Sequence, residues 1–367
     1  MKFSDLRIAL VGPLPPPAGG MANQTRQLAE LLRGEGAQVE VVQVNAPYRP
    51  AWAEKLKGAR ALFRLLPYLL RLWQAAGRAN LVHVMANSGW SWHLSAAPAV
   101  WIAALRGVPV VVNYRGGEAD TFLARSAPLV RATMRRAASL VLPSGFLLEV
   151  FASHGMPGRI VSNIVDLDRF HPATAPRAIG EGPHLVVARN LEALYGNDTA
   201  LRAFALLAPH YPGARLSIAG SGPEAGALAA LARELGNADR VRFTGRLDRD
   251  EMAALYRDAD LMLNASRVDN MPNAILEALA SGLPVVTTDA GGIPFIVRQR
   301  ETAVLVPVDD AAALAAAAHK VLDDAGLRAA LATAGRHEVQ RYRWSSVRTE
   351  LLSAYADALR MPKVQAT

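Results

Sequence analysis

Short apolar runs rich in Val, Ile and Leu alternate along the chain with longer stretches in which Ala and Leu recur at helical spacing. In the first half the runs are RIALVG, QVEVVQV, NLVHVM, PVVVNY and SLVLPS, with a helix predicted near Met21–Arg33. The rhythm breaks at HPATAPRAIGEGP, residues 171–183, and restarts with HLVVAR, RLSIAG, RVRFTG, DLMLNAS, LPVVTTD and AVLVP. Strands that alternate with helices in this way make parallel βαβ units, and a Pro/Ala/Gly-rich break between two such series reads as a linker. The pattern predicts an α/β fold of two Rossmann-like domains, residues 1–168 and 169–343, with a helical segment over 344–367. At 367 residues the chain is long enough for two separate cores. No internal repeat appears, and the Ala-rich stretch 311–318 reads as plain helix.

Composition narrows the class. Apolar residues make up 51% and charged residues 20%, ordinary for a globular protein. No segment approaches the ~18 uninterrupted apolar residues of a membrane span. The start, MKFSDLRIALVGPLPPP, has too short an apolar run for a secretory signal and reads as a first strand. Cysteine is absent, which excludes disulfides and thiol nucleophiles and fits a reducing cytoplasm.

Charge adds an asymmetry. Residues 1–168 carry 18 Lys+Arg against 10 Asp+Glu, whereas 169–367 carry 22 of each, so the whole net charge of +8 lies in the first half. A one-sided basic field points to an anionic partner: a phosphate-bearing substrate, an anionic lipid or a nucleic acid. No nucleic-acid reading motif accompanies it, and that partner ranks last. Within 49–78, Arg49, Lys55, Lys57, Arg60, Arg64, Arg71 and Arg78 face one acid, Glu54, and are interleaved with Leu and with Trp73. The segment reads either as a basic amphipathic helix pair, broken or kinked at Pro67, on an anionic membrane surface, or as a core-facing helix with a solvated basic back. The expected location is the cytoplasm, with a peripheral place at the inner membrane face as the alternative that the first of these readings would bring.

The most informative segment is SRVDNMPNAILEALASGLPVVTTDAGGIP, residues 266–294. Pro272 suits a first helical position and Asp269 or Asn270 the cap before it. Gly282 and Pro284 close the helix, which is expected over Ala274–Ser281. Amides at such a helix start are free to bind an anion or a sugar hydroxyl, and the Asp269 and Glu277 carboxylates can accept paired hydroxyl hydrogen bonds.

This segment resembles the E-x7-E region of the retaining glycosyltransferases of family 4. In that family the second Glu holds the nucleotide ribose and the first sits by the transferred sugar; Glu277 matches the second, while Asp269 and Asn270 replace the usual Glu and Gly. The resemblance extends over nearly the whole chain. GPLPPPAGGMANQTRQLAELLRGEG is similar to the family's first strand, Gly-Gly loop and helix, where Gly19 and Gly20 let amides approach a phosphate. HLVVARNLEALYGNDTALRAF resembles the segment where an Arg and a Lys clasp the diphosphate: Arg189 matches the Arg, and Tyr195 stands in the Lys place. LSIAGSGPE and VRFTGRL resemble the loops around the nucleotide, which implies Gly220, Gly222 and Gly245 for close approach and Arg246 and Leu247 near the base. Asn270, Met271 and Pro272 would bind the donor, Asp269 to Met271 orienting its sugar, and Arg267 is a candidate for the missing charge.

On the acceptor side, Tyr114, Arg115 and Glu118 occupy the place of the family's His-Gly, with Asp120, His83 and His93 as further proton-handling candidates. SNIVDLDRF, resembling the interdomain crossover, puts Asn163 and Asp166 at a hinge. The resemblance implies the GT-B architecture, two domains facing across a cleft with the terminal helix crossing back to the first. It also implies transfer of a hexose, from a UDP-sugar by preference, to a saccharide or lipid-linked acceptor in cell-surface glycan synthesis. Retained configuration is implied as well, with no metal or other cofactor. Arg189, Asp269 and Glu277 would be catalytic, Arg189 and the Gly19–Gly20 amides stabilising the departing diphosphate. Two rivals stay open: a non-hydrolysing UDP-sugar 2-epimerase of the same layout, and a catalytically weak sugar-nucleotide or membrane-surface binding protein.

Overall fold

A computed structural model describes residues 1–16, 19–48, 52, 60–174 and 182–360. Residues 175–181 of the linker, and Arg49, Glu54, Lys55 and Lys57 of the basic segment, lie outside the described residues. The chain divides into two compact units: Met1–Asn163 with Trp344–Thr367, and Ile164–Arg343. The division falls at Asn163/Ile164 rather than 168/169, because Val165 and Phe170 are already buried in the core of the second unit.

The first unit is built on β1 (Arg7–Gly12), β2 (Gln38–Gln43), β3 (Leu81–Ala86), β4 (Val110–Tyr114), β5 (Ser139–Leu142) and β6 (Arg159–Ile160), all parallel in the order β2-β1-β3-β4-β5-β6. Every residue of β3 and β4 is buried, as a parallel sheet covered on both faces requires, while the edge strand β2 is mostly half-exposed. The crossover helix Arg60–Arg78 runs unbroken through Pro67, so the expected helix pair is one helix. The terminal helix Trp344–Arg360 belongs to this unit: the Tyr355 hydroxyl meets buried His83 Nδ1 at 2.7 Å, and Trp344 Nε1 and Arg348 both donate to Glu35 at 2.9 Å. The Arg348 guanidinium holds the Glu35 carboxyl below its ordinary value.

The second unit repeats the plan with β7 (His184–Ala188), β8 (Arg215–Ala219), β9 (Val241–Gly245), β10 (Leu261–Asn264), β11 (Val285–Thr288) and β12 (Val304–Val306), parallel in the order β12-β11-β10-β7-β8-β9. Alternate residues of β7 enter different cores: Leu185 and Val187 join one cluster, Val186 and Ala188 the other. The period of two along a strand thus fills a core on each face of the sheet. On one face lies the short helix Asn273–Ala280, six of whose eight residues are buried; only Asn273 and Glu277 are partly open. Its last turn closes as Gly282 N–H donates to Leu279 O at 3.0 Å and Leu283 N–H to Ala278 O at 3.0 Å, with Gly282 at φ +71. The start differs from expectation: Pro272, with ψ 114, is the extended residue before the helix, and Asp269 does not cap it.

Candidate functional site

In the second sheet β7 lies beside β10, the point from which crossovers run outward in both directions. Open parallel sheets take ligands at the carboxyl ends of their strands at such a switch point. Arg189 directly follows β7, and Ser266–Asp269 follows β10, so the fold brings them together. Arg189 donates from Nε and Nη2 to Ser266 Oγ at 3.2 and 3.1 Å, is ion-paired with Asp269 and stacks on the Tyr195 ring at 4.4 Å. Ser266 in turn donates to Asn264 Oδ1 at 3.1 Å, and Asn264 to Thr287 Oγ1 at 2.9 Å, which ties the guanidinium into the sheet. The Arg189 and Asp269 side chains are only 10% and 13% exposed, and burial pulls the guanidinium below its ordinary pKa.

The loop that presents Asp269 is fixed from behind. Asn270 N–H donates to Asp269 Oδ1 at 2.9 Å and Gly292 N–H to Asp269 O at 2.8 Å. A Cβ on Gly291 or Gly292 would sit 2.4 Å from Asp269 O or 1.9 Å from Asn270 O, which explains the Gly-Gly of DAGGIP. Asn270 and Pro272 are buried in this loop, and the Met271 side chain belongs to the core, so any contact of Met271 with a sugar would be through its backbone. Glu277 is half-buried; loss of hydration pushes its carboxyl up to about 7, with Arg249 opposing and Asp166 adding to the rise. The buried Tyr256 hydroxyl interacts with Glu277, and burial raises that phenol well above its usual value. Asp166 also pairs with Arg249 at 3.5 Å and Arg169 at 3.7 Å.

Two of the loop glycines have a packing role as well, and one expectation, that for Arg267, needs correction. Gly220 and Gly222 serve loop packing: a Cβ would meet Arg189 O at 1.9 Å and Leu191 O at 2.2 Å, so these glycines seat the β8 loop on the β7 loop. Gly245, at φ +71 with open space around it, remains available for close approach, and Arg246 Nε donates to Ser221 Oγ at 2.6 Å with half-buried Leu247 beside it. Arg267 supplies no free charge, since Asp198 at 2.9 Å and Asp309 at 2.7 Å neutralise it and it bonds to Ala193 O.

In the first unit Gly19 is extended with nothing within 4 Å of a Cβ, and Gly20 opens the helix Gly20–Gly34 after β1. Arg115 follows β4 and, among the described residues, is held by side-chain amide oxygens: Asn113 at 3.1 Å, Gln24 at 3.3 Å and Asn163. Burial lowers it to about 10. Tyr114 is not an acceptor-side group; the alternation of β4 turns it into the core, 0% exposed with its ring 4.7 Å from Phe151. His83 is no base either: fully buried, it is pulled down to about 3, and its nitrogens face Tyr355 and Asn113. Glu118 and Asp120 are exposed at the start of Ala119–Met134, and His93 packs on Phe122 at 5.9 Å. A cavity of about 590 Å³ borders Arg7, Gln38 and Arg78 at the amino ends of β1 and β2, away from these residues. Among the described residues no His, Asp and Glu cluster is placed to hold a metal, and no helix is long and apolar enough to cross a membrane.

Comparison with known proteins is decisive for the family. Residues 18–169 match the model of Glycosyltransferase Family 4, and residues 175–338 that of Glycosyl transferases group 1. The chain belongs to glycosyltransferase family 4. Among its relatives is the GDP-mannose-dependent alpha-(1-6)-phosphatidylinositol monomannoside mannosyltransferase of Mycobacterium tuberculosis, 28% identical, with 96% of this chain and 98% of that protein covered. Sucrose-phosphate synthase from Thermosynechococcus elongatus superposes with a TM-score of 0.75 at 21% identity, covering 95% and 98% of the two chains. Anabaena Alr3699/HepE, solved with UDP and glucose, gives 0.72 at 16%, covering 96% and 99%. These two likenesses establish the GT-B fold.

In this glycosyltransferase, sequence reasoning missed Ser266, Tyr256 and Arg249, all of which touch or bias the Arg189–Asp269 and Glu277 groups. Ser266 stood at the head of the quoted motif and its place after β10 was the available signal. Nothing in the sequence pairs the Arg249–Asp258 helix with Glu277.

Proposed function

We propose that this glycosyltransferase moves a hexose-type sugar from a nucleoside diphosphate sugar held by the second unit to a saccharide or lipid-linked acceptor, with retention of anomeric configuration and without a metal. The observation that carries the reading is Arg189, a buried guanidinium at the β7–β10 switch point whose counter-ion among the described residues is the Asp269 carboxylate. A diphosphate competes for that fork in bidentate fashion, which turns Asp269 toward the hydroxyls of the sugar. As the bond to the anomeric carbon breaks, Arg189 stabilises the charge gathering on the leaving phosphate, and that phosphate takes the acceptor proton. Glu277, once ionised, accepts from the ribose hydroxyls. With Tyr195 in the Lys place the site has one cation fewer for the leaving group.

Uridine and guanine are the two bases to test side by side. UDP was the preference from the sequence and is the nucleotide bound to HepE, while the mycobacterial relative uses GDP-mannose. The phosphatidylinositol monomannoside in that relative's name supports a phosphate-bearing acceptor here, for which Arg115, lacking any carboxylate partner among the described residues, is the receptor. Incubating the protein with UDP- and GDP-hexoses, with and without phosphoinositide or polyprenyl-linked acceptors and with EDTA present, tests the reading. Acceptor-dependent release of nucleotide and a product with the donor's anomeric configuration by NMR are expected. Inversion, or epimerised donor without transfer, overturns it.

A further inference from the structure

We infer that one face of the first unit, formed by the helices Arg60–Arg78, Ala97–Leu105 and Ala119–Met134, docks on an anionic lipid surface. Leu66, Leu70 and Trp73 project from the first helix, Trp101 and Leu105 from the second and Leu129 from the third, each between 39% and 65% exposed. Spacings of three and four residues keep the first three on one side of their helix and the next two on one side of theirs. Side-chain contacts join the helices into one surface. The Arg106 guanidinium lies 4.8 Å over the Trp73 ring, Trp101 Nε1 donates to Thr133 Oγ1 at 3.3 Å, and Arg136 lies 3.6 Å over the Trp101 ring. Exposed apolar side chains scattered singly are ordinary, but a contiguous set of large ones marks an interaction site.

The charge around this set selects the partner. Segments 60–78, 97–106 and 119–136 together hold nine arginines and a single acid, Asp120; Arg78 is paired with Glu40 at 2.6 Å and Arg131 donates to His154 O, while Arg106 and Arg136 lie on the face itself. Arg106 and Arg136 are paired with tryptophan rings, an arrangement that presents cation and indole together at one level. A lipid headgroup layer over acyl chains accepts all three components: guanidinium on phosphate, indole at the interface and leucine below it. A phosphodiester backbone leaves the four leucines in water, and a second copy of this chain would set arginine against arginine. The face therefore fits a membrane better than a nucleic acid or a self-associated dimer. It would hold the enzyme where a lipid-linked acceptor resides, yet the binding itself does not depend on the proposed reaction.

The test is flotation of the full chain with vesicles of phosphatidylcholine alone and of equal parts phosphatidylcholine and phosphatidylglycerol. The wild type is expected to float with the anionic vesicles only and to be released by high salt. Leu70→Ser with Leu105→Ser, and separately Arg71→Gln with Arg106→Gln and Arg136→Gln, are expected to lose binding, the triple change by about a hundredfold. Both sets should keep the nucleotide-induced thermal shift of the second unit, which distinguishes lost docking from lost folding. Wild type that stays unbound, or variants that float like it, overturns the inference. So does a wild-type dimer in solution that the leucine changes dissolve, or an RNA complex that outcompetes the vesicles.

Discussion

Glu277 gives the account its sharpest handle, because its carboxyl sits in a helix that is otherwise almost wholly buried and is raised from 4.5 to about 7. An acid raised in the folded state stabilises that state while protonated. The contribution is full below pH 4.5, is lost as pH rises toward about 7, and is absent above. A shift of that size corresponds to at most about 3–4 kcal/mol, at roughly 1.4 kcal/mol per pKa unit. Glu277→Gln keeps the shape and removes the titration. Its melting temperature relative to wild type is therefore expected to climb between pH 5 and 8 by several degrees, at roughly 2–4 °C per kcal/mol for a unit of this size. Calorimetry across that range, following the transition that responds to nucleotide, reads the difference. Nucleoside diphosphate should stabilise wild type more at pH 8 than at pH 6 and the variant little at either, since a carboxylate is what the ribose hydroxyls need. Parallel pH profiles for the two proteins would refute the raised carboxyl and with it the proposed ribose contact.

Other consequences follow from single contacts. Tyr195→Lys restores a second cation beside Arg189 and is expected to tighten diphosphate binding several-fold by calorimetric titration; no change would mean that position 195 does not face the phosphates. Gly222→Ala drives a Cβ into Leu191 O and should lower stability by about 2 kcal/mol or more and weaken nucleotide binding with it, measured by denaturant unfolding with and without ligand. Tyr355→Phe removes the hydroxyl partner of buried His83 and is expected to cost about 1–3 kcal/mol without altering nucleotide binding, which separates the anchoring of the terminal helix from the site. Asp269→Asn leaves the Arg189 guanidinium without its counter-ion; lower stability of the empty protein and a larger relative gain from inorganic pyrophosphate are expected in a thermal-shift assay.

Much of the fold was legible because parallel strands buried on both faces must be continuous apolar runs, and β3, β4, β7 and β10 read directly from the sequence. β6, two residues long, carries no such pattern. Pro67 suggested a break, but the helix around it is held by the burial of Tyr68, Leu72 and Ala75 against the sheet, and tertiary packing overrides the local signal. In the site, Arg189, Asp269 and Glu277 were found by motif, while the contact between Arg189 and Asp269 depends on β7 and β10 being neighbours, which sequence order hides. Gly220 and Gly222 were read as positions for close ligand approach, and nothing in the sequence signalled that their missing side chains also make room for the protein's own carbonyls. Tyr114 and His83 looked like chemistry and are core: the Tyr114 ring packs on Phe151, and buried His83 is satisfied by Tyr355 and Asn113.

The central claim is that the second unit binds a nucleoside diphosphate through Arg189 and Glu277. Titration calorimetry of UDP, GDP and ADP against wild type, Arg189→Ala and Glu277→Ala tests it most directly. The account predicts that one of these nucleotides binds the wild type and neither variant with comparable affinity. Equal binding by all three proteins, or none by the wild type, would contradict it.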